Sequence, residues 1–502
     1  MEEPVVRLPA RYNMATHFVD RHIDDGRSDK VAIISEGRRV TYGGLEEMVN
    51  RVGNGLRGLG VESGDRVLVL LPDCPEFAAA YLGTVKSGAV AVLTNTALRA
   101  PDYAYFLDES EAKALVVDAA FWAEVQPILA GRKALEHVIV RGNVAGEHWT
   151  WSAWIEGQST DLDAADTDRD DIAFWLWTSG STGLSKGAVH RHRDWNYCSE
   201  GFARSILDIG PDDVTFSSSK LFHAYGLGNT LMFPLHVGAT TVLYPGRPTP
   251  EIILGSVQDH RPTLFYSVPT LYAGMLAATD GEKTYDLSSV RHCVSAAEPL
   301  PPAIFKRWQE RFGLEILDAI GSTEVLHMYA SARPGRIKPG STGHPVPGYQ
   351  VRISDESGND VAAGQIGDLW VQGQSTAPYF WNRAELNRER WKDGWFSSGD
   401  KYYQDPEGFL FYAGRSDDMF KVSGQWVSPI EVENCLVEHQ AVLESAVVQW
   451  EDENKLLKPK AYVVLKSDVN GDDHLAHELQ DFVRLRLTPY KYPRRVHFVS
   501  DL

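Results

Sequence analysis

Apolar runs of strand length alternate with helix-like segments between about residue 30 and residue 290. We interpret five runs as buried strands: RVLVLLP (66–72), KALVVD (113–118), EHVIVRG (136–142), TTVLYP (240–245) and RPTLFYSVP (261–269). Helical patterns such as PEFAAAYLGTVKSG (75–88) lie near them. Strands that are apolar on both faces are typical of parallel sheets covered by helices. The pattern therefore predicts an α/β fold whose large N-terminal domain contains parallel, helix-covered sheets.

The pattern changes after about residue 340. The segments VRISDESGNDV, GDLWVQG and GFLFYAGR alternate around turn residues, which predicts short antiparallel strands in a small β-rich subdomain. From Ser416 onward, helical and strand patterns are interleaved, enough for a separate small α+β domain. We therefore expect an N-terminal domain over residues 1–415 and a C-terminal domain over residues 416–502.

Charge and composition limit the classes of partner. A formal net charge of −19 repels nucleic acid and anionic membranes, so we expect neither as a partner. The chain has no apolar run of membrane-spanning length and no recognisable signal peptide, which favours a cytoplasmic location. The four cysteines form no CxxC pair, so we expect buried reduced thiols rather than a zinc site or disulfides.

The strongest local signal is the segment TSGSTGLSKG, which directly follows the apolar run IAFWLW (172–177). Its glycines allow a ligand to approach the backbone, its amides and hydroxyls donate to phosphate oxygens, and Lys186 adds a positive charge. The spacing is not that of a Walker A motif. The alternative is a flexible Gly/Ser turn without a ligand. The residues expected to cradle a polyphosphate are Thr178, Ser179, Gly180, Ser181, Thr182, Gly183 and Lys186.

TSGSTGxxKG resembles the phosphate-binding signature of the adenylate-forming superfamily, which includes acyl-CoA synthetases, peptide-synthetase adenylation domains and luciferases. Ser185 stands where that family usually has proline. Four further segments resemble family motifs in the same order along nearly the whole chain: SAAEPLP (295–301), DAIGSTE (318–324), WFSSGD (395–400) and FYAGRSDDMFKVSGQWVSPIEVE (411–433). The resemblance implies an enzyme that uses ATP and Mg²⁺.

The resemblance also implies roles for individual residues. Thr323 would touch the α-phosphate, and Glu324 would hold Mg²⁺; taken alone, Glu324 is equally typical of a solvated surface carboxylate. Other nucleotide-binding positions implied by these motifs are Ala297, Glu298, Asp318, Asp400 at the ribose, and Arg415 at ribose and phosphate. Asp417 would be the hinge between two domains, and Lys421 and Gly424 would enter the site after the C-terminal domain rotates; the alternative for residues 416–418 is a polar linker.

The expected acid substrate is aromatic. LFHAYGLGN (221–229) and LHMY (326–329) are similar to the corresponding segments of benzoate-CoA ligases and their hydroxybenzoate relatives. Tyr225 would stack on an aryl ring, and Ala224, Ile320 and Gly321 would leave a flat slot. His327 would hydrogen-bond the carboxylate or a ring substituent, or serve only as a structural donor. His223 stands where benzoate-specific members have an aromatic residue, which argues against unsubstituted benzoate.

The resemblance implies a two-step reaction in which the acid attacks ATP to give an acyl-adenylate and coenzyme A then displaces AMP. An amine or carrier-protein acceptor, or a non-catalytic ligand-binding relative, stays open, as does a homodimer. In the family a catalytic lysine lies in a loop after the segment with which this sequence ends, LTPYKYPRRVHFVSDL. The C-terminal domain therefore reads as truncated before that loop, and we expect weak adenylate formation but retained conversion of supplied acyl-adenylate to thioester.

Overall fold

A computed structural model describes residues 6–180, 183–279, 284–416, 419–422, 425–452, 456–466 and 469–502. Two large sheets with mostly parallel strands make up its N-terminal part, and helices cover them. The predicted α/β class and the predicted parallel sheets are confirmed. Within the described ranges, no helix combines the length and the apolar character needed to cross a bilayer. All four cysteines are buried and free.

Sheet A has nine strands, of which the six central ones are parallel. In spatial order its strands are His344–Pro345, Met328–Ser331, Ile316–Gly321, His292–Ser295, Leu264–Ser267, Val214–Ser217, Thr240–Leu243, Val31–Ser35 and Arg38–Thr41. The runs predicted at 240–245 and 261–269 both lie in this sheet. Carboxyl ends of neighbouring parallel strands share one edge, which is where ligands bind in open α/β sheets.

Sheet B has seven strands and is parallel except for a hairpin at one edge. Its strands, in spatial order, are Trp149–Thr150, His137–Arg141, Ala114–Asp118, Arg66–Leu70, Val90–Leu93, Ile172–Gly180 and Gly183–Arg191. The last two form the hairpin that carries the glycine-rich motif. We predicted that the strand would end at residue 177, but it continues through Gly180 because Thr178 pairs with Lys186 and Gly180 pairs with Gly183.

Sheet C is the predicted β-rich subdomain and is antiparallel. It contains Tyr349–Ser354, Gly367–Gly373, Trp391–Lys392, Trp395–Gln404 and Leu410–Arg415. The register of the last two strands places Asp400 opposite Arg415. Two residues far apart in the sequence are therefore neighbours before any ligand is considered.

The residues after 418 have a hydrophobic core of their own, which includes Phe420, Val432, Leu436, Val463 and Leu479. The strands here are Phe420–Val422, Gln425–Val427, Val442–Glu451, Leu457–Leu465 and Arg495–Val499. The helices are Pro429–Val437 and Asp473–Arg486. This combination is the predicted α+β fold, while the proposed boundary at residues 415 and 416 stays a prediction.

Several helices begin at a proline that follows a strand or a turn. Proline is favoured in the first turn of a helix because its missing N–H would have no intrahelical acceptor there. The α-helices before residue 416 are Arg21–Asp24, Tyr42–Gly58, Pro75–Lys86, Ala100–Ser110, Trp122–Val125, Trp151–Ile155, Asp194–Cys198, Ala224–Leu227, Phe233–Val237, Pro250–His260, Pro269–Ala278, Pro302–Phe312 and Ala384–Arg390. Short 3₁₀ turns occur at Ala119–Phe121, Gln126–Ile128 and Thr323–Val325, and single π turns at Thr16–Asp20, Ser199–Arg204 and Gly228–Met232.

Candidate active site

Two cavities lie side by side at the carboxyl-end edge of sheet A. Cavity 1 has a volume of about 340 Å³ and is lined by Ser219, His223, Ala224, Tyr225, Val268, Ala296, Ala297, Gly321, Ser322, Thr323, Leu326, His327 and Met328. Cavity 2 has a volume of about 200 Å³ and is lined by Ala297, Glu298, Pro299, Ala319, Ile320, Gly321, Ser322, Thr342, Asp400, Tyr402, Tyr412 and Arg415. Ala297, Gly321 and Ser322 belong to both walls, so two ligands bound here would meet across these three residues.

Tyr225 forms a flat wall of cavity 1. Its hydroxyl donates to the carbonyl oxygens of Ser267 at 3.2 Å and Val294 at 3.1 Å, at the ends of two neighbouring strands of sheet A. Burial raises the pKa of this phenol well above its ordinary value, so the hydroxyl stays neutral. Because these bonds hold the polar tip in the sheet edge, the ring is left as the surface offered to a ligand.

His327 is an uncharged part of the same wall. Its ring lies 4.5 Å from the ring of Phe233 and 5.6 Å from that of Phe202, between centroids. Burial lowers the pKa of His327 to about 3, and its nearest polar neighbour is the Tyr225 carbonyl oxygen, 3.4 Å from Nε2. A neutral imidazole in an aromatic cage supplies shape to the slot and no positive charge for a carboxylate.

His223 lies exposed at the mouth of cavity 1, at the start of helix Ala224–Leu227. Loss of surrounding water lowers the pKa of His223, which favours the neutral ring. The segment before it is anchored from behind, because the Leu221 amide donates to Asp73 at 3.1 Å and the Lys220 ammonium donates to the Tyr244 carbonyl at 2.6 Å. The mouth of the slot is therefore held by buried polar contacts.

Asp400 and Arg415 form the polar part of cavity 2. The Arg415 guanidinium donates to Asp400 Oδ1 at 2.8 Å, and the Asp400 side chain is buried. Burial raises the pKa of Asp400, and the Arg415 charge opposes that rise. The rings of Tyr402 and Tyr412 lie beside this pair, 5.4 Å apart between centroids. Stacked aromatic rings next to a carboxylate can accommodate a base and the hydroxyls of a ribose.

The turn that contains Thr323 and Glu324 is fixed at three successive carbonyl oxygens. His190 Nε2 donates to the Thr323 carbonyl at 2.8 Å, the Ala377 amide to that of Glu324 at 2.7 Å, and the Ser375 hydroxyl to that of Val325 at 2.7 Å. Leu326, which follows, has a φ of 75°, a conformation that costs free energy in a residue with a side chain. The turn is therefore held in one conformation by three different segments of the chain.

Lys186 lies on the second strand of the hairpin and is half-buried. The Ser185 carbonyl next to it accepts a hydrogen bond from the Tyr105 hydroxyl at 2.8 Å, and the Lys186 ammonium lies 5.8 Å from the centre of the Phe380 ring. Burial, and then repulsion from Arg390, lower the pKa of Lys186, while the Glu324 carboxylate raises it. The hairpin thus brings an ammonium into the field of the Glu324 carboxylate.

The donors near Glu324 suit a magnesium ion that travels with a nucleotide. Among the described residues, no hydrogen-bond or ion-pair partner occupies the Glu324 carboxylate, and no group of three acidic, histidine or cysteine side chains could hold a metal alone. Mg²⁺ is usually bound by one or two carboxylates together with phosphate oxygens and water. A single free carboxylate beside a phosphate-binding lysine fits that pattern.

The structure brings most of the predicted residues together. Ala224, Tyr225, Gly321, Thr323 and His327 line cavity 1, and Glu298, Asp400 and Arg415 line cavity 2. The Glu298 carboxylate also accepts hydrogen bonds from Thr270 at 2.6 Å and 3.1 Å, at the start of helix Pro269–Ala278. Lys421 lies in strand Phe420–Val422, and Ser181, Thr182, Asp417 and Gly424 lie outside the described residues.

Two predicted placements need correction. Ile320, expected in the acid slot, lines cavity 2, because the pairing of its strand shifts register between Ile320 and Gly321 and the chain reaches cavity 1 only from Gly321 onward. Asp318 lines neither cavity and is buried in the middle of its strand, where burial raises its pKa well above the ordinary value. A neutral carboxyl beneath the floor does not reach a nucleotide.

The sequence analysis missed several residues of the site. Tyr402 follows Asp400 by two positions on one strand, so the period-two alternation of strands would have placed both side chains on the same face. Tyr412 faces Tyr402 only through the pairing of two strands, and His190 reaches Thr323 only through the packing of sheet B against sheet A. Neither of these two has a local sequence signal.

Comparison with protein families agrees with the geometry. The family model described as AMP-binding enzyme matches residues 20–381, and the model described as AMP-binding enzyme C-terminal domain matches residues 431–502. Together these matches include the hairpin, the Thr323–Glu324 turn and both large sheets.

Individual relatives are similar over almost the full chain. A benzoate–CoA ligase of Thauera aromatica is 47% identical over 99% of this chain and 94% of its own length. A 4-hydroxybenzoate–CoA/benzoate–CoA ligase of Rhodopseudomonas palustris is 40% identical over 99% of this chain and 92% of its own. The crystal structure of the anthranilate CoA ligase AuaEII in complex with anthranoyl-AMP has a TM-score of 0.94 at 39% identity, covering 99% of this chain and 95% of that one.

Proposed function

This chain belongs to the family of AMP-binding enzymes, and from that premise we propose that it is an ATP-dependent ligase that joins an aromatic carboxylic acid to coenzyme A through an acyl-adenylate. The observation that carries the proposal is the wall shared by the two cavities. Ala297, Gly321 and Ser322 separate a slot with a flat tyrosine wall from a pocket with a carboxylate and an arginine. An acid in the first and a nucleotide in the second would have their reacting groups at this wall.

In the first step a carboxylate oxygen of the acid attacks the α-phosphorus of ATP. A phosphorus–oxygen bond forms, the bond to the bridging oxygen breaks, and pyrophosphate leaves with the electron pair of that bond. Catalysis of such a step depends mainly on positioning and on neutralising charge. Lys186, Thr323 and Arg415 are the residues for this task, since they surround the shared wall and the hairpin.

In the second step the thiol sulfur of coenzyme A attacks the acyl carbon of the adenylate. The carbon–oxygen bond to AMP breaks, AMP leaves with that electron pair, and the thiol proton passes to solvent. No nucleophile from the protein is required. Rotation of the C-terminal domain about Asp417, which would carry Lys421 and Gly424 to the site, belongs to this proposal.

Mg²⁺, held by Glu324 together with phosphate oxygens, would neutralise phosphate charge while bound. Asp400 would accept hydrogen bonds from ribose hydroxyls, and the Tyr402 and Tyr412 rings would lie beside the nucleoside. Ala297 and Glu298 border the same pocket. The hairpin backbone from Thr178 to Gly183 would face the phosphates.

The proposed acid is benzoate or a substituted benzoate. The relatives that are most informative act on benzoate and 4-hydroxybenzoate, and one solved neighbour holds anthranoyl-AMP. Tyr225, Ala224 and His327 give the slot a flat, uncharged lining. A cytoplasmic location and a homodimer remain predictions from the sequence.

A panel of acids tests the proposal. Benzoate, hydroxy-, amino- and chlorobenzoates, cyclohexane carboxylate and short fatty acids would be compared by AMP release with and without coenzyme A. We expect AMP release that depends on both coenzyme A and an aromatic acid. Preference for straight-chain acids would refute the aromatic assignment, and release that is the same with an amine in place of coenzyme A would refute the acceptor.

A further inference from the structure

Arg390, at the end of helix Ala384–Arg390, has no role in the site as described so far. Its guanidinium points toward Gly399, the residue before Asp400. A Cβ placed on Gly399 would lie 2.8 Å from Arg390 Nη1 and 3.1 Å from Arg415 Nη2. The two guanidinium groups therefore converge on one point of the backbone beside the nucleotide pocket.

The two arginines differ in their partners. Arg415 is paired with the Asp400 carboxylate at 2.8 Å. Arg390 lies 3.5 Å from the Ser397 carbonyl oxygen, at the outer limit of a hydrogen bond, and has no carboxylate partner within the part of the chain that the structure describes. A half-buried guanidinium normally obtains an anionic partner, because removing it from water without one costs free energy.

Arg390 also faces a second cation. Its charge is the first electrostatic influence on Lys186 after burial, and both act to lower the pKa of the lysine. Arg383, the other arginine in this region, pairs with Glu109 at 2.9 Å. Lys186, Arg390 and Arg415 thus surround a region in which the nearby carboxylates are Glu324 and Asp400. Repulsion among such cations is relieved when an anion binds between them.

We propose that Arg390 binds the β- and γ-phosphates of ATP, and hence the pyrophosphate that leaves, together with Lys186. This inference rests on the proposed function. Arg390 lines neither cavity, whereas Arg415 lines the pocket for the nucleoside and α-phosphate. An arginine outside that pocket and close to Lys186 would reach the part of ATP that AMP lacks. A guanidinium suits the task because its planar set of donors binds two phosphate oxygens at once.

The test compares the affinity of the chain for ATP with its affinity for AMP. Arg390→Gln removes the charge and keeps hydrogen-bonding capacity, Arg390→Lys keeps the charge without the planar fork, and Arg388→Gln makes the same charge change at an exposed position of the same helix. We expect Arg390→Gln to raise the Kd for ATP about tenfold or more. We expect the Kd for AMP to change less than about twofold in every variant, and Arg390→Lys to lie between wild type and Arg390→Gln.

Release of pyrophosphate gives the second measurement. With saturating acid, Arg390→Gln should slow pyrophosphate release, while thioester formation from supplied acyl-adenylate and coenzyme A should stay at the wild-type rate. Equal losses for ATP and AMP, no loss for either, or the same loss in Arg388→Gln would overturn the role of Arg390. Wild-type protein that binds neither nucleotide would overturn the proposed function itself, which is a different result from a normal wild type with an unaffected Arg390 variant.

Discussion

His190 Nε2 donates a hydrogen bond to the carbonyl oxygen of Thr323, with 2.8 Å between the two atoms. His190 lies on the hairpin that carries Lys186, and Thr323 opens the turn that carries Glu324. The other ring nitrogen, Nδ1, lies 3.2 Å from the buried Asp194 carboxylate, which fixes the ring. One imidazole therefore sets the distance between the phosphate-binding hairpin and the proposed magnesium carboxylate.

Replacing His190 should disturb that distance without removing any group that contacts a ligand. For His190→Ala we expect adenylate formation to slow about tenfold, the equivalent of one lost hydrogen bond, and the Mg²⁺ concentration for half-maximal rate to rise. His190→Gln should recover part of both, since the Gln amide nitrogen can replace Nε2–H. Pyrophosphate release measured over a range of Mg²⁺ concentrations checks this. A His190→Ala variant with unchanged Mg²⁺ dependence would contradict it.

Ala297 has a φ of 74°, in the left-handed region that favours glycine, and its methyl group borders both cavities. Ala297→Gly should relieve backbone strain and raise the free energy of unfolding by up to about 1 kcal/mol. It should also increase the relative rate with bulkier benzoates. Ala296→Gly is the matched control: Ala296 is buried without a positive φ, so this change should destabilise the protein. Denaturant unfolding decides, and a loss of stability in Ala297→Gly would disprove the prediction.

Asp73 predicts a pH dependence of stability. Burial raises the pKa of Asp73 from 3.8 to about 6, against the opposing effects of Lys220 and the Leu221 amide. Between these values the folded state binds more protons than the unfolded state, so the contribution of Asp73 to stability falls as pH rises from about 4 to about 6 and then levels off. The loss is on the order of 3 kcal/mol, from about 1.4 kcal/mol per pKa unit.

Asp73→Asn should remove this slope. The difference in Tm between variant and wild type should therefore be more favourable to the variant at pH 7 than at pH 4. Asp259→Asn, which changes an exposed aspartate of helix Pro250–His260, serves as control and should show the same difference at both pH values. Thermal unfolding followed by circular dichroism provides the measurement. An equal shift for Asp73→Asn at pH 4 and pH 7 would show that the buried carboxyl does not titrate in this window.

His327 should contribute no pH dependence to acid binding. Since its pKa is about 3, its ring is neutral throughout the range from pH 6 to pH 8. We expect the KM for benzoate in His327→Phe to follow the same pH profile as in wild type, with a change of a few fold at most in its absolute value. His223→Phe, at the mouth of the slot, is the comparison. A wild-type step near pH 6.5 that His327→Phe abolishes would mean that the histidine carries charge toward the carboxylate.

Features that depend on a short stretch of chain were predictable. Apolar runs predicted the central strands of both sheets, and the proline at position 75 marks the start of the predicted helix. The Gly/Ser/Thr segment before Lys186 and the turn at Thr323 and Glu324 stand close to where their motifs suggested. In each case the residues that act together are neighbours in sequence, so alternation, turn residues and capping contain the necessary information.

Other features follow from strand pairing and from contacts between sheets. Tyr412 joins the site because Leu410–Arg415 pairs with Trp395–Gln404, and His190 braces Thr323 across 133 residues. Ile320 was assigned to the wrong cavity because a register shift decides which residues of its strand reach the acid slot. Arg390 shows no local pattern and is notable only through its position beside Gly399 and Lys186.

The sequence alone determined the α/β class, the order of the motifs and the kinds of side chain available for phosphate, metal and aromatic ring, because these depend on residue type and short-range periodicity. The tertiary structure alone decided that an acid slot and a nucleotide pocket share the wall at Ala297, Gly321 and Ser322. It also decided which charges are buried or left without a partner. Both depend on distances between segments remote in the chain, which are set by the register of the strands and the packing of the sheets.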